Sequence, residues 1–157
     1  MSANIAQIYL ANPANTLVNT DLMYLGRSPY GSSDNYAFLF STLLSYVPFG
    51  ISTEVTTGSQ TMIPNVTYTA NNASLVTLTL PTVADVGTFL QIVGLGAGGW
   101  TLAQNASQLV YFGNQNTTAG TGGSISSSNQ YDNITLKCVT ANLAWSVVAS
   151  QGTLNIV

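Results

Sequence analysis

The sequence predicts an all-β body, a short-stranded β-prism or β-helix-like structure, behind an extended N-terminal arm and one short helix. Three observations carry this. From Ile51 onward, short runs of Val, Ile, Thr, Tyr and Trp recur with apolar and polar residues alternating. Clusters of Gly, Ser, Asn and Gln separate the runs. Trp100 to Gly123 reads as strand, turn, strand, turn without one charged side chain.

Taken in order, residues 1 to 33 read as extended. Ile5, Ile8, Tyr9 and Leu10 form one apolar patch, and Leu22, Met23, Tyr24 and Leu25 form another, with Asn, Pro and Gly residues breaking the chain around them. An arm with isolated patches must lie on its own body or on a neighbouring subunit, and the second choice joins subunits. Asp34 is a plausible N-cap for a helix over Asn35 to Val47, with Phe38, Leu39, Leu43, Tyr46 and Val47 near one stripe and Pro48 and Gly50 ending it. Such a helix packs on its own domain or between chains. The expected division is an assembly arm with the helix over 1–50 and a β-rich trimerising module over 51–157.

Within that module strands are expected at Glu54 to Thr57, Thr61 to Thr69, Ser74 to Leu80, Phe89 to Val93, Trp100 to Ala103, Leu109 to Phe112, Ile134 to Val139 and Leu143 to Val148. One chain with strands this short has difficulty closing a core unless neighbours complete it. Three copies winding together are therefore expected to bury Trp100, Leu102, Val110, Phe112, Leu136 and Trp145 along a shared axis.

Charge narrows the function classes. Only 4% of the 157 residues are charged, and the two cations are Arg27 and Lys137. Asn, Gln, Ser and Thr together make up 59 residues. Nucleic acid and anionic membrane surfaces need clustered Lys and Arg that this chain lacks. A surface this poor in charge has little electrostatic repulsion against self-association. The apolar stretch from Asn35 to Ser52 is too short and too interrupted to span a bilayer as a helix. The N-terminus lacks the basic start and continuous apolar run of a secretory signal. Five N-x-S/T sequons, at Asn65, Asn72, Asn105, Asn116 and Asn133, are the number a chain this rich in Asn and Thr yields by chance.

Chemical motifs are few. Gly94, Gly96 and Gly99 match the spacing of a dinucleotide-binding loop, but Trp100 starts a strand where that motif needs a helix, and no acid lies between Asp85 and Asp132. The glycines read instead as a turn where backbone segments approach closely. Without histidine the commonest general base is missing, and one cysteine builds no zinc cluster. Asp85 and Asp132 are the remaining candidates for a glycosidase pair across subunits, yet both sit where turns want aspartate. Cys138, in line with Ile134 and Leu136, reads as a small core residue. Arg27 has Asp21 and Asp34 as partners that would fix the arm. No cofactor, metal or catalytic residue is expected, and the chain reads as non-enzymatic.

The succession LTLP (Leu78 to Pro81), GTFLQIVGLGAGGWTLAQNASQLVYFGN (Gly87 to Asn114), TTAGTGGSISS (Thr117 to Ser127), YDNITLKCV (Tyr131 to Val139) and LAWSVVASQG (Leu143 to Gly152) resembles a small β-rich module of bacteriophage tail-fibre and tailspike proteins. Related virion and bacterial surface proteins carry it too. DLMYLGRSPYGSSDNYAF (Asp21 to Phe38) resembles the segment preceding that module. The resemblance implies a homotrimeric, intertwined structural part of a tail, virion fibre or extracellular filament. Its partners would be itself, as a trimer or stacked trimers, and other virion or tail proteins. The alternative is an adhesin at a fibre tip that holds surface glycans or a receptor through exposed Tyr, Asn and Gln.

Overall fold

The computed structural model describes Leu22–Gly26, Asn35–Leu39, Val47 and residues 50–157. The chain divides into two units, Met1–Tyr46 and Val47–Val157. In the first, β1 (Leu22–Gly26) and β2 (Asn35–Leu39) form an antiparallel pair with Leu22 opposite Leu39 and Gly26 opposite Asn35.

That pairing corrects the sequence reading: the first five residues of the expected helix over Asn35 to Val47 are a strand. A short apolar run does not by itself distinguish helix from strand, and Tyr36 and Phe38 fit a pleated surface at least as well. The pairing across to β1 then settles the choice. Residues 40–46 of that helix lie outside the described residues, as do Ile5, Ile8, Tyr9 and Leu10 of the arm; Leu22, Tyr24 and Leu25 lie on β1.

The second unit is all-β. Its strands are β3 (Ile51–Val55), β4 (Ser59–Thr61), β5 (Val66–Ala70), β6 (Val76–Thr79), β7 (Phe89–Gly94), β8 (Trp100–Ala103), β9 (Leu109–Phe112), β10 (Gln115–Asn116), β11 (Ser124–Ser127), β12 (Asn133–Thr140), β13 (Ala144–Gln151) and β14 (Leu154–Ile156). They form two mixed sheets, ordered β10-β9-β13-β12-β7-β5-β3 and β14-β11-β8-β6-β4. Neither closes into a barrel.

From β3 to β8 the chain alternates strictly between the sheets, and each strand pairs in parallel with the one two before it: β3 with β5, β5 with β7, β4 with β6, and β6 with β8. These six strands are three turns of a flattened parallel coil. The remaining strands pair mostly antiparallel, β12 on β7 and β11 on β8, and finish the stack.

Why the coil turns stack is visible at the glycine run. A Cβ on Gly96 would fall 2.2 Å from the Asn72 nitrogen, and one on Gly98 would fall 2.1 Å from the Ser74 carbonyl carbon. Side chains there would drive two backbones apart. With glycine the turns hydrogen-bond directly, Gly96 N–H to Ala70 O at 2.9 Å and Gly98 N–H to Asn72 O at 3.0 Å. The run is the close-approach turn that the sequence suggested, and β8 follows it with no helix between.

Alternation sets the core. Val66, Tyr68 and Ala70, Leu90 and Ile92, and Ile134, Leu136 and Cys138 point inward from the seven-stranded sheet. They meet Val76, Leu78, Trp100, Leu102 and Ile125 from the five-stranded one in a single cluster.

Five of the six residues expected along a shared axis are covered within one chain. Trp100, Leu102, Val110, Leu136 and Trp145 have no exposed surface in the single chain, so they line its own sandwich and need no shared axis to cover them. Phe112, the sixth of that set, is half-buried near one edge of the seven-stranded sheet. The reason lies in the connectivity: stacking short strands as coils, with both faces of the coil contributing, lets one copy enclose an interior that isolated short strands would leave open.

Candidate interaction surfaces

Two strings within the segments that carry the resemblance, W-x-L-x-Q-N from Trp100 and Y-D-N-I-T-L-x-C from Tyr131, resolve into internal structure. In W-x-L-x-Q-N, Trp100 and Leu102 are core, and the Trp100 indole N–H donates to Asp132 O at 2.9 Å. Gln104 is buried; its amide donates to Gln108 O at 2.8 Å and to Thr118 O and Gly120 O at 3.0 Å each, and its oxygen accepts from the Thr117 hydroxyl. Thr117 Oγ1 in turn accepts from Val110 N–H at 2.9 Å. Gln108, also buried, donates to Pro81 O and Asn142 O and accepts from Asn105. Three loops are thereby pinned to one amide network.

In Y-D-N-I-T-L-x-C, Asp132 Oδ2 accepts from Ser128 and Asn129 N–H, both at 2.9 Å; the carboxylate closes the turn before it rather than forming the Asx-type turn expected of it, which bonds two residues onward. Cys138 is a buried free thiol, and burial pushes its pKa up. Burial likewise raises Tyr68, whose phenol oxygen accepts from Ile63 N–H at 2.6 Å.

Asp85 and Asp132 stand at opposite ends of the β7–β12 ladder. Asp85 precedes the Phe89–Lys137 end, while Asp132 adjoins the Val93–Asn133 end. Five paired positions separate these ends, roughly 15 Å at the rise of a strand. One chain does not bring the two carboxylates together. Among the described residues no group of three or more His, Cys, Asp or Glu is placed to hold a metal ion, and no helix is long and apolar enough to cross a membrane.

The surface offers three more distinctive regions. The β6–β7 loop and the β12–β13 turn are joined by hydrogen bonds, Ala84 N–H to Asn142 Oδ1 at 2.8 Å, Asn142 N–H to Ala84 O at 3.0 Å and Gly87 N–H to Cys138 O at 2.9 Å. On these joined segments Val83, Val86, Val139 and Leu143 are 71%, 63%, 41% and 45% exposed. A shallow groove of about 310 Å³ is lined by Phe112, Gly113 and Val147 to Ser150. It contains no ionisable side chain.

The third region is the outer face of the five-stranded sheet. Residues opposite one another make two rows across β4, β6, β8 and β11: Ser59, Thr77, Thr101, Ser126 and Thr61, Thr79, Ala103, Ser124. None of these seven hydroxyls bonds to another described residue, and the five strands hold no charged residue. The outer face of the seven-stranded sheet differs. There Thr67 Oγ1 donates to Gln91 Oε1 at 3.1 Å, Gln91 Nε2 donates to Thr135 Oγ1 at 3.4 Å, and Lys137 lies 5.7 Å from the Phe89 ring centre. Ser52, Thr69 and Ser146 on that same face have hydroxyls without a bond to another described residue, so the two faces differ in degree only.

Sequence reasoning missed Gln104 and the hydroxyl rows. The signal for the first was a glutamine fixed between a buried strand and a glycine-rich turn. For the second it was S-x-T, T-x-T and T-x-A spacing on strands whose intervening residues point inward. No protein-family model matches the chain, and no curated protein matches it significantly.

Proposed function

We propose that this chain is a non-enzymatic structural protein that assembles with copies of itself, as a trimer, into a tail part, virion fibre or extracellular filament. The observation that carries the reading is the patch of Val83, Val86, Val139 and Leu143, presented on segments held together by hydrogen bonds. Exposed aliphatic side chains clustered on a rigid support mark association surfaces. A chain with 4% charged residues puts little repulsion in the way. With the tryptophan core enclosed, the proposed contact is this end of the sandwich. Copies meet as folded units rather than completing one another's cores.

Sedimentation at micromolar concentration tests it. The wild type should run as a trimer or larger, and Val83→Asp with Leu143→Lys should run as a folded monomer. A wild type that sediments as a monomer, or a double variant that assembles unchanged, refutes the reading. Electron microscopy of the same samples distinguishes rods and filaments from isolated particles.

A further inference from the structure

We infer that copies of the chain join head to tail, the patch of Val83, Val86, Val139 and Leu143 on one copy seating on a ridge of Leu75, Leu95 and Tyr131 on the next. This rests on the assembly reading and goes beyond it by naming the second surface. A two-fold contact joins a patch to itself and ends at two copies. Three copies, or a filament, need two different surfaces on every chain; the rotation between successive copies then decides whether the series closes or runs on.

The connectivity supplies the second surface. Because β3, β5 and β7 run parallel, every crossing from the seven-stranded to the five-stranded sheet lies at one lateral edge, and every return crossing lies at the other. Val83 and Val86 stand on a return crossing, tied to the turn that carries Leu143. Leu75 and Leu95 stand at the opposite edge, on the β5–β6 and β7–β8 turns, and Tyr131 joins them there on the β11–β12 turn. These three are 52%, 44% and 63% exposed. Their turns are bonded to one another: Leu95 N–H donates to Ala70 O at 2.9 Å, Gln130 Nε2 to Leu95 O at 2.8 Å and Gly94 N–H to Asp132 O at 3.0 Å. The side chains therefore stand on a fixed ridge, as those of the patch stand on joined segments.

Tyr131 points to a partner on separate grounds. Its φ of 72° lies in the left-handed region, where a bulky side chain is strained. The other non-glycine residues with positive φ among those described are Asn65 and Asn142, a type that tolerates it. Asp132 keeps the turn in this shape by accepting from Ser128 and Asn129, yet the ring itself is left in water. Against a neighbour the ring would bury its face, and its phenol O–H would remain as a donor. The patch presents the matching acceptor: Asp85, exposed between Val83 and Val86, is the one charged residue of the β6–β7 loop and the β12–β13 turn. The ridge turns 71–75, 95–99 and 128–132 hold no cation, and their one carboxylate, Asp132, is buried. No exposed charge on the ridge opposes Asp85, and a second copy brings both halves of the contact.

Sedimentation of the full chain, alone and in mixtures, tests the pairing. Leu75→Asp with Leu95→Asp should run as a folded monomer, as Val83→Asp with Leu143→Lys does on the assembly reading. An equimolar mixture of these two variants should form dimers holding one copy of each and nothing larger, because such a pair keeps one intact ridge and one intact patch. Tyr131→Asn gives a second readout. It should weaken wild-type association about tenfold or more and, placed in the Val83→Asp, Leu143→Lys monomer, raise the urea midpoint by relieving the strain. Four outcomes overturn the inference while the assembly reading stands: a ridge variant that assembles like the wild type, a mixture that stays monomeric, unchanged association in Tyr131→Asn, or a lowered midpoint in the Tyr131→Asn monomer. A wild type that is itself monomeric overturns the assembly reading, and the inference with it.

Discussion

Replacing Gln104 by leucine removes the centre of the loop network at nearly constant volume. The amide supplies two protons, shared among Gln108 O, Thr118 O and Gly120 O, and one acceptor for Thr117. Three bonds at a net of about 1 kcal/mol each give about 3 kcal/mol. Leucine returns about 1 kcal/mol through the extra apolar area it buries. The carbonyls do not all lose their only partner, because Gln108 O keeps Gly120 N–H at 2.8 Å and Gly120 O keeps Gly123 N–H at 3.0 Å. A destabilisation of about 2 kcal/mol in urea titration is therefore expected. Amide exchange should quicken most at Thr117, Gly120 and Gly123. Thr117→Val should couple with Gln104→Leu by about 1 kcal/mol in a double-mutant cycle, because the two share one hydrogen bond. A loss under about 0.5 kcal/mol, or exchange that quickens evenly over the sheets, refutes the claim that this network pins the loops.

The tryptophans should respond differently to phenylalanine. Trp145 Nε1 is buried without a hydrogen-bond partner among the described residues, whereas Trp100 Nε1 donates to Asp132 O. Trp100→Phe should therefore lose about 1–3 kcal/mol more than Trp145→Phe in the same urea titration, and equal losses would contradict the assignment. Alkaline pH should destabilise the fold. Burial raises both Cys138 and Tyr68, so the unfolded chain sheds these protons first. Stability is intact below the unfolded thiol pKa of about 8.5 and declines as pH rises through that range and the phenol range near 10. The urea midpoint followed against pH should fall there, and less steeply in Cys138→Ala; a flat midpoint contradicts the burial argument.

Much of the sandwich was legible because period-two alternation is a local signal. It placed Ile134, Leu136 and Cys138 inward, and it marked Trp100 and Leu102 as a strand. Gly94 to Gly99 announced close backbone approach, and Asp132 announced a turn. What could not be read was non-local. Nothing around Val76 specifies a parallel partner at Trp100, twenty-four positions away, yet that pairing makes the coil. Ser124–Ser127 looked like turn material because serine is a poor strand former, and Ile125 alone betrayed its inward face. Asn35 to Leu39 satisfies helical and extended patterns equally until a partner strand is known. The burial of Gln104 was not legible because its carbonyl partners come from residues 4 to 16 positions later.

The parallel coil also bears on how such a chain changes size. Each added turn contributes one strand to both sheets and lengthens the stack by about 4.8 Å. It meets only the turn before and the turn after, so duplicating one would leave the antiparallel closing strands, and any surface they carry, untouched. Reach becomes a property that evolution can adjust in discrete increments, separately from whatever the far end does.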